Sequence, residues 1–444
     1  MENYKDHNII KAIEWLKSHL HTDAWPSRLQ SVEDAVTSLT RPREEDVADL
    51  KNMKTLKVEN DQIGWYIYLM ECLTKDISKY EAYQGARVGP IFQRIGADLE
   101  LVKEIGGIDT KVRKMLKSEK NQADSNLFEI LTALLWVKNG WEVSFIDVTS
   151  HKTPDIKAVK NGKQYYVECK RMAQRSEYSK KEQKAWLAML NHVSPLLMEN
   201  ALMLEVVFHK EVHTIPETYL LDLFGGNTGA EEGKLHISND TLTVSLAKID
   251  LKRINAQLKR GPLQEGSPFM RQLIGGNAES TGFTAALLAK HGYYGPPAGF
   301  NRYILNVAGG YAIDWRCDAP ESIEAKARDL FHHIKEANDQ LPPGSNAVIH
   351  VGVETLDGPE VERARFEKIK ARAADFDKGG SGLKMIYCHF FQSYALPGIH
   401  LTFDETTAGF LERQEQYPIL DQTFLVVDEA VKCKNDVHWE REHP

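Results

Sequence analysis

Apolar positions along the chain fall into two regimes. Up to about residue 120 they recur at helical spacing. Ile9, Ile10, Ala12, Ile13, Trp15 and Leu16 form one stripe. A second run covers 62–80, through Ile63, Tyr66, Tyr68, Leu69, Cys72 and Leu73, and a third lies near 97–104. Gly106-Gly107 ends the third, since glycine suits a helix C-cap, and a short basic helix follows around 110–120. Pro26 and Thr40-Arg41-Pro42 punctuate this stretch. From about 121 the period changes, and strands alternate with helices. A helix over 126–138 leads to strands at 141–148, 155–159 and 164–170. A helix from 179 to about 189 follows, with a disturbance at Pro195, and then a strand-length apolar run at 201–208.

Residues 211–300 read as a mixed insert or linker. It has a short helix before Phe224, a strand pair around Asn239-Asp240, a basic helix over 251–260 and glycine-rich bends. From 301 to 444 the pattern is α/β again. Strands are expected at 303–307, 347–353, 383–391 and 399–403, with helices at 320–341 and 359–374. The expected class is therefore α/β in four regions: a helical N-terminal region (1–120), a core (121–210), the insert (211–300) and a further α/β C-terminal domain (301–444).

One stretch carries chemistry. PDIKAVKNGKQYYVECK, residues 154–170, reads as a hairpin turning on Asn161-Gly162, because both residues tolerate positive φ. Along the returning strand Tyr165, Val167 and Cys169 point one way, and Tyr166, Glu168 and Lys170 the other. Asp155, Glu168 and Lys170 then meet at one edge: two carboxylates and an amine, as a divalent metal and an attacking water require. The helix before the hairpin is apolar nearly all round, yet it contains Glu129. A buried carboxylate needs a cation, a metal or a set of donors.

Composition narrows the partners. Formal charge is −8, which argues against a protein that coats nucleic acid over its whole surface. Residues 151–184 nevertheless carry a local basic excess, including Lys157, Arg171, Arg175, Lys180, Lys181 and Lys184. A basic flank around a small acidic centre suits a polyanion, and a solvated charged face is the plain alternative. Five scattered cysteines without a CxxC pair argue against a structural zinc site and for reduced thiols in the cytoplasm. The N-terminal stretch carries acids, unlike a secretory leader, and no apolar run is long enough to span a bilayer. His332, His333, His350, His389 and His400 follow no ligand spacing and read as exposed or core histidines. Asp314, Asp318 and Glu354 are weaker candidates for a second acidic site.

Pro154-Asp155, Glu168-Cys169-Lys170 and Glu129 on the preceding helix, in the order helix, three strands, helix, strand, resemble the PD-(D/E)xK nuclease superfamily. The resemblance covers about 121–210. It implies a restriction-endonuclease-like αβββαβ core and a metal-dependent nuclease of DNA, an endonuclease before an exonuclease, serving prokaryotic defence, restriction or repair. Asp155, Glu168, the Cys169 backbone carbonyl and Glu129 would then hold Mg²⁺ or Mn²⁺, and Lys170 would orient or help deprotonate the water. Lys157, Arg171, Arg175, Lys180, Lys181 and Lys184 would meet phosphates, and Gln183 would be an accessory residue. The usual aromatic partner of that glutamine is replaced by Leu187, so the branch stays open. RNA also stays open as a substrate, as does a homo-oligomer or protein partner held by the terminal regions. Two other readings stand beside this one: a catalytically silent nucleic-acid-binding or scaffold protein that keeps the fold, and an unrelated α/β protein.

Overall fold

The computed structural model describes residues 3–21, 23–40, 60–147, 153–173, 175–225, 234–277, 280–295, 300–327, 330–411, 419–428 and 437–440. Helices come first: α1 (His7–Ser18), α2 (Ala24–Thr40), α3 (Gln62–Lys75), α4 (Ala82–Ala97), α5 (Leu99–Lys103), α6 (Ile108–Lys117) and α7 (Ala123–Lys138). Next are β1 (Glu142–Phe145), β2 (Ile156–Lys160), β3 (Lys163–Met172), α8 (Glu177–Asn200) and β4 (Leu202–Phe208). The middle of the chain forms α9 (Tyr219–Phe224), β5 (Lys234–Ser238), β6 (Leu242–Lys248), α10 (Leu251–Leu258), β7 (Leu263–Gln264), α11 (Pro268–Ile274), β8 (Thr284–Tyr293) and β9 (Arg302–Cys317). The last elements are α12 (Pro320–Lys326), α13 (Leu330–Asn338), β10 (Asn346–Glu354), α14 (Pro359–Ala374), β11 (Gly382–Leu396) and β12 (Ile399–Phe410). Val148, at the end of the expected first strand, lies outside the described residues.

The strands make two mixed six-stranded sheets, so the class is α/β. The first runs β1-β2-β3-β10-β11-β12. Its outer pairs are antiparallel, and β3, β10 and β11 are mutually parallel. The second runs β5-β6-β4-β9-β7, with β8 also paired to β9. One face of the first sheet shares a single apolar core with α1–α4, α6 and α7. Its other face is covered by α13 and α14.

Four expectations change here. The run at 201–208 forms β4 as expected, but β4 joins the second sheet between β6 and β9. The strand beside β3 is β10, whose Ile349 stands opposite Glu168. Both segments are apolar runs of strand length, so pattern alone does not choose between them. The crossover from β3 to β10 therefore spans 173–345 and contains the entire second sheet. Region 211–300 is thus no linker, since β5–β8 build that sheet. Region 301–444 is not one domain either: β9 belongs to the second sheet and β10–β12 to the first. The N-terminal helices, expected as a separate accessory region, are one wall of the first sheet's core.

Helix α4 was not expected, because glycines and a proline interrupt its pattern. Those glycines serve close approach. A Cβ on Gly96 would lie 1.8 Å from the Asn8 carbonyl oxygen of α1, and one on Gly89 would lie 2.1 Å from Leu401 of β12. Pro195 sits inside α8 without ending it. No helix among the described residues is long and apolar enough to cross a membrane.

Candidate active site

The hairpin forms with the expected register. Lys160 pairs with Lys163 across Asn161-Gly162, whose φ values are 52° and 75°. Ile156 faces Val167, so Asp155, just before β2 begins, comes opposite Glu168 within β3. The Cys169 amide donates to Asp155 Oδ2 at 2.8 Å. Lys170 Nζ donates to Glu168 Oε1 at 2.7 Å. Glu168 is 1% exposed, and its Oε2 is buried with no donor. The neighbour of Glu168 is instead the Asp155 carboxyl, close enough for the pair to share a proton.

That crowding is legible in the proton affinities. Burial pushes the Glu168 carboxyl up to about 8; Asp155 adds to the rise, and Lys170 opposes it. Burial, then Asp155, pushes Glu129 up to about 7 against the pull of Lys111. Asp155 is raised by burial, although the Cys169 amide, Lys111 and Lys170 favour its charge. Burial works against the Lys170 charge, but Glu168 and Asp155 outweigh it and hold the amine above its ordinary value. A buried carboxylate facing a half-buried one, with one oxygen lacking a donor, calls for a proton or a hard cation.

Glu129 does have the partner its burial demanded. It is Lys111 of α6, with Nζ 2.5 Å from Glu129 Oε2. Pattern reading missed Lys111, which sits in a short basic helix like any surface lysine; only the packing of α6 on α7 and β1 brings it here. The expectation that Glu129 completes a metal shell is revised accordingly. Among the described residues no group of three His, Cys, Asp or Glu stands in ligating geometry. If an ion binds here, Asp155 and Glu168 are the carboxylates left to hold it, since Glu129 is paired with Lys111. No family model matches the chain. No curated protein or solved structure matches it either.

The basic flank divides. Arg171 turns inward: its side chain is 6% exposed, pairs with Glu354 and lies 4.8 Å from the Phe391 ring. It cannot meet phosphates from there, which corrects that expectation. On the strand it follows Cys169, so alternation alone already points it into the core. Glu354 also accepts from Arg87 at 3.0 Å, and Arg87 in turn reaches Asp124 at 2.7 Å. Glu354 is therefore the anion of a buried arginine pair. Arg175 donates to the Leu356 carbonyl. Lys157 is half-buried on β2. Lys180, Lys181 and Lys184 are exposed on α8, where Gln183 is half-buried; Lys180 pairs with Glu177 at 2.6 Å. This helix packs its Trp186 face on the second sheet.

His350 and His389 are core residues. Trp136 Nε1 donates to His350 Nε2 at 3.1 Å, which leaves His350 Nδ1 to donate to His389 Nε2 at 2.9 Å. His389 Nδ1 continues to Thr407. Burial favours the neutral form of both rings, holding His350 well below the ordinary value and lowering His389 against the pull of Glu405.

Proposed function

We propose that the chain is a metal-dependent nuclease that hydrolyses phosphodiester bonds of DNA, with a restriction-endonuclease-like core around Asp155, Glu168 and Lys170. The observation that carries this reading is the opposed pair of Glu168, buried with one oxygen lacking a donor, and half-buried Asp155, both raised in proton affinity, with Lys170 beside them. Nothing in the packing of β2 on β3 requires such a trio. The element order supports it too: α7, then β1, β2 and β3 antiparallel, then α13 against β3, then β10 parallel to β3. That is the αβββαβ order, with the second sheet inserted in the crossover.

Asp155 and Glu168 would hold Mg²⁺ or Mn²⁺, with the Cys169 carbonyl as a further oxygen. The ion would acidify water and neutralise charge on the phosphoryl oxygens. Lys170, a protonated donor at the same edge, orients water and phosphate. In this reading the carboxylate face of β3 is the acidic centre, and Lys181 and Lys184, exposed on α8, are the residues that would supply a basic flank. Cleavage of linear, circular and single-stranded DNA and of RNA should be assayed with Mg²⁺, Mn²⁺ and EDTA, for wild type, Asp155→Ala and Lys170→Ala. Metal-dependent DNA cleavage lost in both variants is expected. Cleavage that survives either substitution sinks the mechanism. Binding without cleavage on every substrate favours the silent nucleic-acid-binding reading.

A further inference from the structure

Lys111 enters the site from outside the hairpin and its preceding helix. Its Nζ lies 2.5 Å from Glu129 Oε2, and both side chains are 16% exposed. The same ammonium sits 5.7 Å from the centroid of the Phe145 ring on β1, so a ring and a carboxylate fix it in one place. It also bears on Asp155, whose charge it favours.

The site thus has two kinds of anion. Glu129 has its own cation and no further demand for one. Asp155 and Glu168 face each other with Glu168 Oε2 unsatisfied. Three carboxylates against Lys111 and Lys170 leave one net negative charge, which a single divalent ion more than neutralises. A second ion at Glu129 would have to sit beside an ammonium already bonded to it, at a large like-charge cost.

We propose that Lys111 is the built-in second cation of this site: it holds Glu129 out of the metal shell and takes the electrostatic place of a second divalent ion. The site then takes one ion, at Asp155 and Glu168. This rests on the nuclease reading and assigns Lys111 a positioning role, through Glu129.

Calorimetric titration of the metal-free full-length protein with MnCl₂ tests it without reference to activity. Wild type binds one ion and Asp155→Ala none. Glu129→Gln still binds one, since Glu129 is not a ligand. Lys111→Met frees Glu129 and takes a second ion, which wild type does not bind at the same MnCl₂ concentrations. Lys111→Arg stays at one ion, and Lys111→Met/Glu129→Gln returns to one. A single ion in Lys111→Met, two in wild type, or loss of the ion in Glu129→Gln overturns the inference and leaves the nuclease reading standing. If wild type binds no ion, and Asp155→Ala behaves like it, the nuclease reading fails and the inference with it. Should Lys111→Met not fold, by circular dichroism, the Glu129→Gln titration decides.

Discussion

The two sheets have the same strand number, and both mix parallel with antiparallel pairs, yet they bury different things. Strands of the first sheet bury Glu168, His350, Glu354, His389, Glu405 and Thr406. Strands of the second bury no charged or polar side chain among the described residues. Leu202, Leu204, Val206 and Phe208 of β4 and Leu242, Val244 and Leu246 of β6 fill its interior. Buried ionisable groups cost stability unless paired. A sheet that collects them must supply each with a partner. Most of them are explained locally: Glu354 by two arginines, the histidines by Trp136 and Thr407, and Glu405 by the amides of Leu425, Val426 and Val427. Glu168 alone of these carboxylates faces another carboxylate. That residue separates a charged core from a candidate site.

The sharpest way to break the comparison is at that pair. Asp155→Ala or Glu168→Gln should lower metal-dependent DNA cleavage by at least about a thousandfold. Asp314→Asn, in the second sheet, should leave the rate unchanged. Equal losses in a cleavage assay would erase the distinction between the sheets.

Next is the buried arginine pair. Glu354→Gln takes the paired carboxylate from Arg171, while Arg87 keeps Asp124, and should cost about 3–5 kcal/mol in denaturant unfolding. Phe208→Ala in the second sheet should cost a similar ~3–5 kcal/mol through its cavity. The two differ in rescue. Adding Arg171→Met should recover part of the Glu354→Gln loss, whereas no charge change restores a cavity.

The pH response is smaller and has a definite sign. Glu168 titrates near 8 and Glu129 near 7 in the folded chain, against an ordinary 4.5. Between those values the folded state holds protons that the unfolded state has released, so stability falls as pH rises from 4.5 to 8. Thermal midpoints measured in EDTA should drop across that window. Glu168→Gln should flatten the drop, and Mg²⁺ should oppose it. The buried histidines act in the other direction. Their folded values lie below the ordinary 6.5, so the unfolded state takes up more protons, and stability is lost as pH falls below 6.5. Apolar second-sheet substitutions such as Phe208→Ala should alter neither slope.

The smallest effect is at the turn. Gly162 has φ 75°, and Gly162→Ala should cost about 1 kcal/mol by denaturation while leaving the cleavage mechanism intact.

Local grammar made much of this legible from residues alone. Asn161-Gly162 fixed the hairpin, and a two-residue turn fixes register. Register set Asp155 against Glu168, and alternation set Lys170 beside Glu168 with Cys169 turned to the core. Glu129 stood out as a charge on a buried helix, and the demand for a partner was correct even though the cation was unnamed. These are short-range consequences of chain geometry, which any segment carries with it.

What tertiary structure decided is which distant segments answer those demands. β4 and β10 are both apolar runs fit to lie beside β3, and only the packing of α13 and the second sheet assigns that place to β10. Arg171 looked like a phosphate contact until Glu354, far along the chain, paired with it. Lys111 is one lysine among many in a basic helix until α6 docks on α7 and β1. Side-chain chemistry says what each group needs; long-range packing, driven by apolar area that carries no address, chooses who supplies it.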